Sequence, residues 1–258
     1  MLELEPMLVW MPTLLLVTVR VAGMVAFAPV FGHSAVPVKV RVLVSVAMGV
    51  AVVGRLARPV ALPASSFDLV MGLGCEFLMG AAIGYAARLI FVGVELGAFH
   101  VSTQMGLALA DVVDPLKADS PSAVRGTYRL VAIVVFLAIG GLRALVGGLL
   151  ATFKTVPPLG FAPGPALLSS VVGMLAASFV LALKVAAPVL IAMLLATVAL
   201  GLLQRTVPQC NMLSIGLPVR VMLGLVVVAV SLGALGPLME AAASHVAQSV
   251  QVLTGAVR

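Results

Sequence analysis

Two carboxylates three residues apart, Asp111 and Asp114, are as near as this sequence comes to a metal-ligand pair. Alone they are weak ligands, and the next acid, Asp119, falls beyond Pro115. His33 and His245 stand isolated near the ends of apolar segments. No G-x-S-x-G, H-E-x-x-H or P-loop pattern occurs. Cys75 and Cys210 lie in or beside apolar sequence without CxxC or Cys/His spacing, and read as small buried hydrophobes. The expectation is a chain that is not an enzyme and needs no cofactor or metal.

The other candidates for chemistry are charges set in apolar sequence: Arg20, Glu76, Arg88, Glu95, Arg143 and Lys184. Each would cost about 2.5–3.5 kcal/mol at the centre of a lipid-facing helix, so the helices that carry them must turn them toward protein or water. Arg88 and Glu95 are seven apart, about 20° offset on a helix, and meet only if both side chains extend. Glu76 and Lys184 have no local partner. These charges serve either as buried pairs between helices or subunits, or as a proton path. A relay needs a run of Asp, Glu or His along one route, and only His100 lies nearby, which favours pairs.

The composition explains why elements must bury these groups. Hydrophobic residues make up 62% and charged residues 9% of 258, with mean hydropathy +1.25. That excludes a soluble globular enzyme, a disordered chain and a disulfide scaffold. The net charge of +6 suits cytoplasmic loops and anionic headgroups. Basic residues are scattered singly and aromatics are 5%, so no nucleic-acid surface is expected. The acidic opening, with Glu3 and Glu5, does not read as a cleavable signal.

Apolar segments run over Met7–Phe31, Val42–Gly54, Leu69–Ala87, Leu89–Ala110, Leu130–Leu150, Leu167–Leu203 and Val221–Met239. None alternates as a barrel strand does, so the expected fold is all-α with about six membrane crossings. No proline occurs between Pro63 and Pro115, which allows one helix much longer than a bilayer is thick, or a tight hairpin between Gly93 and Gly106. Leu167–Leu203 is also too long for one straight crossing, and Pro188 should kink it. Long, kinked helical hairpins suit both stretches. Loops are expected over Arg55–Ser66, Asp111–Ser122, Pro157–Pro165 and Val207–Pro218. There is no tandem repeat, and residues 1–258 read as a single domain.

Gly80 and Gly84, and again Gly93 and Gly97, are spaced for close helix approach. Gly80 and Gly93 lie thirteen apart, roughly 220° around a continuous helix, so the two pairs would face different neighbours. Glycine is also simply common in membrane helices. From Met105 onward, Met105, Leu107, Leu109, Val112 and Val113 are apolar side chains able to narrow a passage by excluding water. The alternative is a plain turn, with Asp114 and Pro115 as punctuation.

Three stretches together resemble the FliR family, an export-gate subunit of the flagellar type III secretion apparatus with homologues in virulence injectisomes. The first holds Arg20 and Gly23, then Pro29, Gly32 and Pro37. The second is Gln104-Met105-Gly106-Leu107 followed by Val113-Asp114-Pro115. The third runs from Ala199 through Arg205, Pro208 and Gln209 to Gly216 and Pro218. Thr152-Phe153-Lys154-Thr155-Val156-Pro157 has the same look. Two departures stand out: Leu107 to Val113 carries no aromatic, and Gly140-Gly141-Leu142-Arg143 replaces a frequent Asn-Gly-His.

The resemblance implies a structural pore-forming subunit in a conical hetero-oligomer with FliP-like and FliQ-like subunits, wrapped by an FlhB-like subunit. Unfolded flagellar proteins would pass through its centre, across the bacterial inner membrane, at the flagellar basal body. It implies a pore-plug loop, here Met105, Gly106, Leu107, Leu109, Val112, Val113, Asp114 and Pro115. Injectisome use is the alternative within the family. A small-molecule transporter is the alternative from another class, and would show inverted halves that this sequence lacks.

Overall fold

The computed structural model describes residues 4–32, 36–55, 59–60, 63, 65–107, 122–161, 164–206 and 212–255, and among these all regular structure is helical. The order is α1 (Leu4–Phe27), α2 (Val38–Val53), α3 (Ser66–Gln104), α4 (Ala123–Ala138), α5 (Gly141–Thr155), α6 (Pro165–Thr206), α7 (Met212–Ser231), a 3₁₀ turn (Leu232–Ala234) and α8 (Leu235–Gly255).

Local chemistry sets most of these limits. Pro165 opens α6 at the first helical position, where a missing N–H costs nothing. Ser122 caps α4 by accepting from the Arg125 N–H. With no proline to stop it, α3 runs for 39 residues, about 58 Å. Its end is a left-handed glycine: Gly106 has φ +81°, the Leu107 N–H donates to Ser102 O, and the Gly106 N–H donates to Thr103 O.

Several expectations change here. The tight hairpin between Gly93 and Gly106 does not form, and Leu69–Ala87 and Leu89–Ala110 largely merge into α3. Leu130–Leu150 is broken instead, because Gly140 takes φ +76° between α4 and α5. The expected loop to Pro218 ends earlier, since α7 starts at Met212 and holds Pro218 inside. At 16 residues, about 24 Å, α2 is short for a crossing. Against about six expected crossings, four stretches among the described residues are long and apolar enough to cross a membrane: Val9–Phe27, Ser66–Gln104, Leu167–Thr206 and Gly216–Gln248. A fifth arises if the bent pair α4 and α5 counts as one span.

The chain divides into two compact units, with α3 and α6 contributing to each. One comprises Met1–Leu89, Gly140–Leu175 and Ala243–Arg258. Its core joins Ala86, Leu89 and Met174, and separately Met79, Val156 and Phe161. Phe27 adds edge contacts to Phe77 and Tyr85 at 6.5 and 6.3 Å. The other comprises Ile90–Ile139 and Ala176–Ala242. There Phe91 meets Phe136 edge-on at 5.2 Å, and the Tyr128 hydroxyl lies 3.0 Å from the Ser231 hydroxyl.

Candidate functional site

In the first unit, a buried polar cluster forms around Arg20, two-thirds of the way along α1. Its Nε donates to Glu76 Oε2 at 2.6 Å and its Nη2 to Glu76 Oε1 at 3.0 Å. Its Nη1 donates to Thr152 Oγ1 at 3.3 Å and to the Val156 carbonyl at 3.1 Å. The guanidinium lies over the Phe153 ring, 4.2 Å from its centre. Both charged side chains are 0% exposed. Burial of this kind is tolerable only when each charge is paired and its hydrogen-bonding capacity is used, and here both conditions hold.

Glu76 does a second job. Its Oε1 accepts from the Leu159 N–H at 2.8 Å, tying down the loop after α5. Leu159 has φ +67°, a left-handed conformation that a bulky side chain rarely adopts. Its side chain fills the space beside Gly72 on α3. One ion pair thus holds α1, α3, α5 and a turn together.

Glycine makes the geometry possible. A β-carbon on Gly80 would collide with the Arg20 carbonyl oxygen, and one on Gly84 with that of Met24. From the other side, Gly23 faces the Phe77 carbonyl oxygen. The backbones of α1 and α3 touch, so a guanidinium one turn from Gly23 reaches a carboxylate one turn from Gly80. In the second unit, Gly93 and Gly97 meet the carbonyl oxygens of Ser178 and Ala182 on α6, at 2.7 and 2.8 Å from an ideal β-carbon. The two glycine pairs of α3 face different helices.

The charges singled out in the sequence separate here. Glu76 is sealed inside, whereas Arg88, Glu95 and Lys184 are exposed on the single chain. Glu95 does not pair with Arg88; its Oε1 lies 3.7 Å from Arg129 Nε, with both side chains well exposed. Of the plug candidates, Leu109, Val112, Val113, Asp114 and Pro115 lie outside the described residues, as do Pro208, Gln209 and Cys210. Met105 is fully buried, and its thioether fills the space beside Gly224 on α7. Gly106 faces Leu217. Pro29 and Gly32 follow α1, Pro37 precedes α2, Arg205 is exposed in the last turn of α6, and Gly216 and Pro218 lie in α7. Among the described residues no group of three or more His, Cys, Asp or Glu is placed to hold a metal.

Thr152, Phe153, Val156 and Leu159 were not recognised as partners of Arg20 from the sequence. The available signal was that an arginine deep in an apolar helix must have partners somewhere, and Thr152 and Phe153 head the one other polar-aromatic run bearing the family's look. The structure joins that run to the first family stretch.

The same residues sit inside a broader likeness. Residues 11–246 match the model of a family described as bacterial export proteins, family 1. The flagellar biosynthetic protein FliR of Bacillus subtilis (strain 168) is 27% identical over 217 residues, covering 81% of this chain and 82% of that protein. FliR of Escherichia coli (strain K12) is 26% identical over 241 residues, covering 92% and 90%. The Yop proteins translocation protein T of Yersinia pestis is 28% identical over 159 residues, covering 60% of each. With a match that takes in α1 from its third turn onward and reaches into α8, this all-helical chain belongs to the bacterial export proteins, family 1.

Proposed function

We propose that this chain is a structural, non-enzymatic subunit of a type III protein-export gate in the bacterial inner membrane. It assembles with FliP-like and FliQ-like subunits, with an FlhB-like subunit on the cytoplasmic side, and helps to pass unfolded flagellar proteins. Residues 1–258 act as one gate domain. The observation that carries this reading is the exposure of long apolar faces on α6 and α7. Leu168, Leu183, Ile191, Leu195 and Leu202 on α6 and Met222 and Val230 on α7 are each more than half exposed. Exposed apolar residues line α6 from Leu168 to Leu203, about 52 Å of helix, against roughly 30 Å of bilayer hydrocarbon. Lipid alone cannot cover it, so apolar helices of partner subunits must.

The likeness to a Yop translocation protein supports injectisome use as the second reading. Two measurements test the proposal. The chain should co-purify with other export subunits from detergent-solubilised membranes, and its loss should abolish flagellar export and swimming. A chain that purifies alone as a stable monomer, from cells that still export without it, would instead fit a small-molecule transporter.

A further inference from the structure

On the exposed face of α6, Lys184 stands among Val180, Leu183, Ile191 and Leu195, all more than half exposed. Lys184 is itself exposed, and among the described residues it has no ion pair or hydrogen bond. It lies about 28 Å from the start of α6 and 33 Å from its end, too far to snorkel past either end of the helix. Pro188 falls one turn later. A proline there has no N–H to give to the carbonyl four residues earlier, which is that of Lys184. An ammonium donor and a freed carbonyl acceptor therefore occupy one spot in an otherwise apolar surface.

Apolar residues are exposed on both sides of this spot, from Leu168 to Leu203. No placement of a layer about 30 Å thick puts Lys184 at a headgroup and still covers both sides. Protein must therefore lie over part of the face, and an unpaired ammonium beneath apolar protein would be strongly unfavourable. Of this chain's own helical acids, Glu76 is taken by Arg20 and Glu95 faces Arg129, and among the described residues neither Asp68 on α3 nor Glu240 on α8 pairs with Lys184.

We propose that Lys184 is a docking point for a carboxylate carried in an apolar helix of another subunit of the assembly, which covers this face of α6. The proposal rests on the export-gate reading only in requiring a partner subunit. The carboxylate accepts from the ammonium, and a donor beside it can use the freed carbonyl. The pair would set the register of the incoming helix along a face that is otherwise uniform.

The test uses native membranes containing the tagged full chain and its partners, treated with dicyclohexylcarbodiimide. The reagent activates a carboxyl in an apolar setting; the Lys184 amine then attacks the carbonyl carbon, an amide forms, and the carboxyl oxygen leaves in dicyclohexylurea. The expected result is a denaturing-gel band at the summed mass of this chain and a different subunit. That band should vanish in Lys184→Arg, which keeps the charge and still co-purifies with partners. Lys184→Leu should lower partner recovery several-fold. The proposal is overturned by the lack of any Lys184-dependent band, by a band at twice this chain's mass, or by parental partner recovery with Lys184→Leu. If export persists without the chain while the Lys184-dependent band to another subunit remains, the export reading fails and the docking point stands.

Discussion

The carbonyl oxygen of Arg20 occupies the space that a β-carbon on Gly80 would need. Gly80→Ala should therefore destabilise the chain by about 1–3 kcal/mol, despite alanine's better helix propensity. Gly74 lies on the same helix with nothing near its missing side chain. Gly74→Ala should be neutral or slightly stabilising. Thermal aggregation in detergent separates the two; equal behaviour would mean that α1 and α3 do not touch at Gly80.

Breaking the Arg20–Glu76 pair from one side strands a buried charge. Glu76→Gln should cost about 3–5 kcal/mol, and Arg20→Met a similar amount. The double variant Arg20→Met/Glu76→Met should be less damaged than the sum of the singles, because it leaves no charge behind. Recovery of folded chain by size-exclusion chromatography reads this directly. Additive losses would show that the pair is not coupled.

Met105 is locked in place beside Gly224. Met105→Ala should cost about 2–5 kcal/mol through the cavity it leaves. Gly224→Ala should cost less, because the neighbour that must yield is a flexible thioether. The ranking of the two melting temperatures is the check, and the reverse order would place Met105 elsewhere.

If the segment from Met105 to Pro115 narrows a pore, it makes a different demand. Deleting Leu107 to Val113 should leave assembly intact and raise the leak of ions or small solutes across the inner membrane. Conductance of reconstituted assemblies, or hypersensitivity of cells to small toxic solutes, measures it. An intact assembly with unchanged conductance would return the segment to being a turn.

The all-α class was legible because 62% hydrophobic residues without strand alternation leave few other folds. The spacing of Gly80, Gly84, Gly93 and Gly97 was legible too, since small residues four apart mark a helix face whatever the neighbour is. The identity of that neighbour was not. Arg20 and Glu76 are 56 residues apart, and Arg20 and Val156 136 apart. Periodicity describes one helix at a time and carries no information about such pairings. The helix count failed for a related reason. Hydropathy divided α3 at Arg88, although a charge on an exposed face does not interrupt a backbone ladder. It also ran through Ile139 and Gly140, where the break comes from a positive φ and not from polarity. Met105 looked available to a passage because its burial against Gly224 depends on a helix more than a hundred residues later.

The Arg20 cluster also sets an order in time. Arg20 leaves the ribosome 132 residues before Thr152, a lag of roughly 7–26 s at ordinary synthesis rates. Glu76 arrives within that interval and takes Nε and Nη2, but Nη1 waits for Thr152 and Val156, and the second bond to Glu76 Oε1 waits for Leu159. A nascent chain therefore carries an unfinished charge site until more than half of it has been made. Truncated products that end before Thr152 lack those partners altogether, and their Arg20 keeps Glu76 alone.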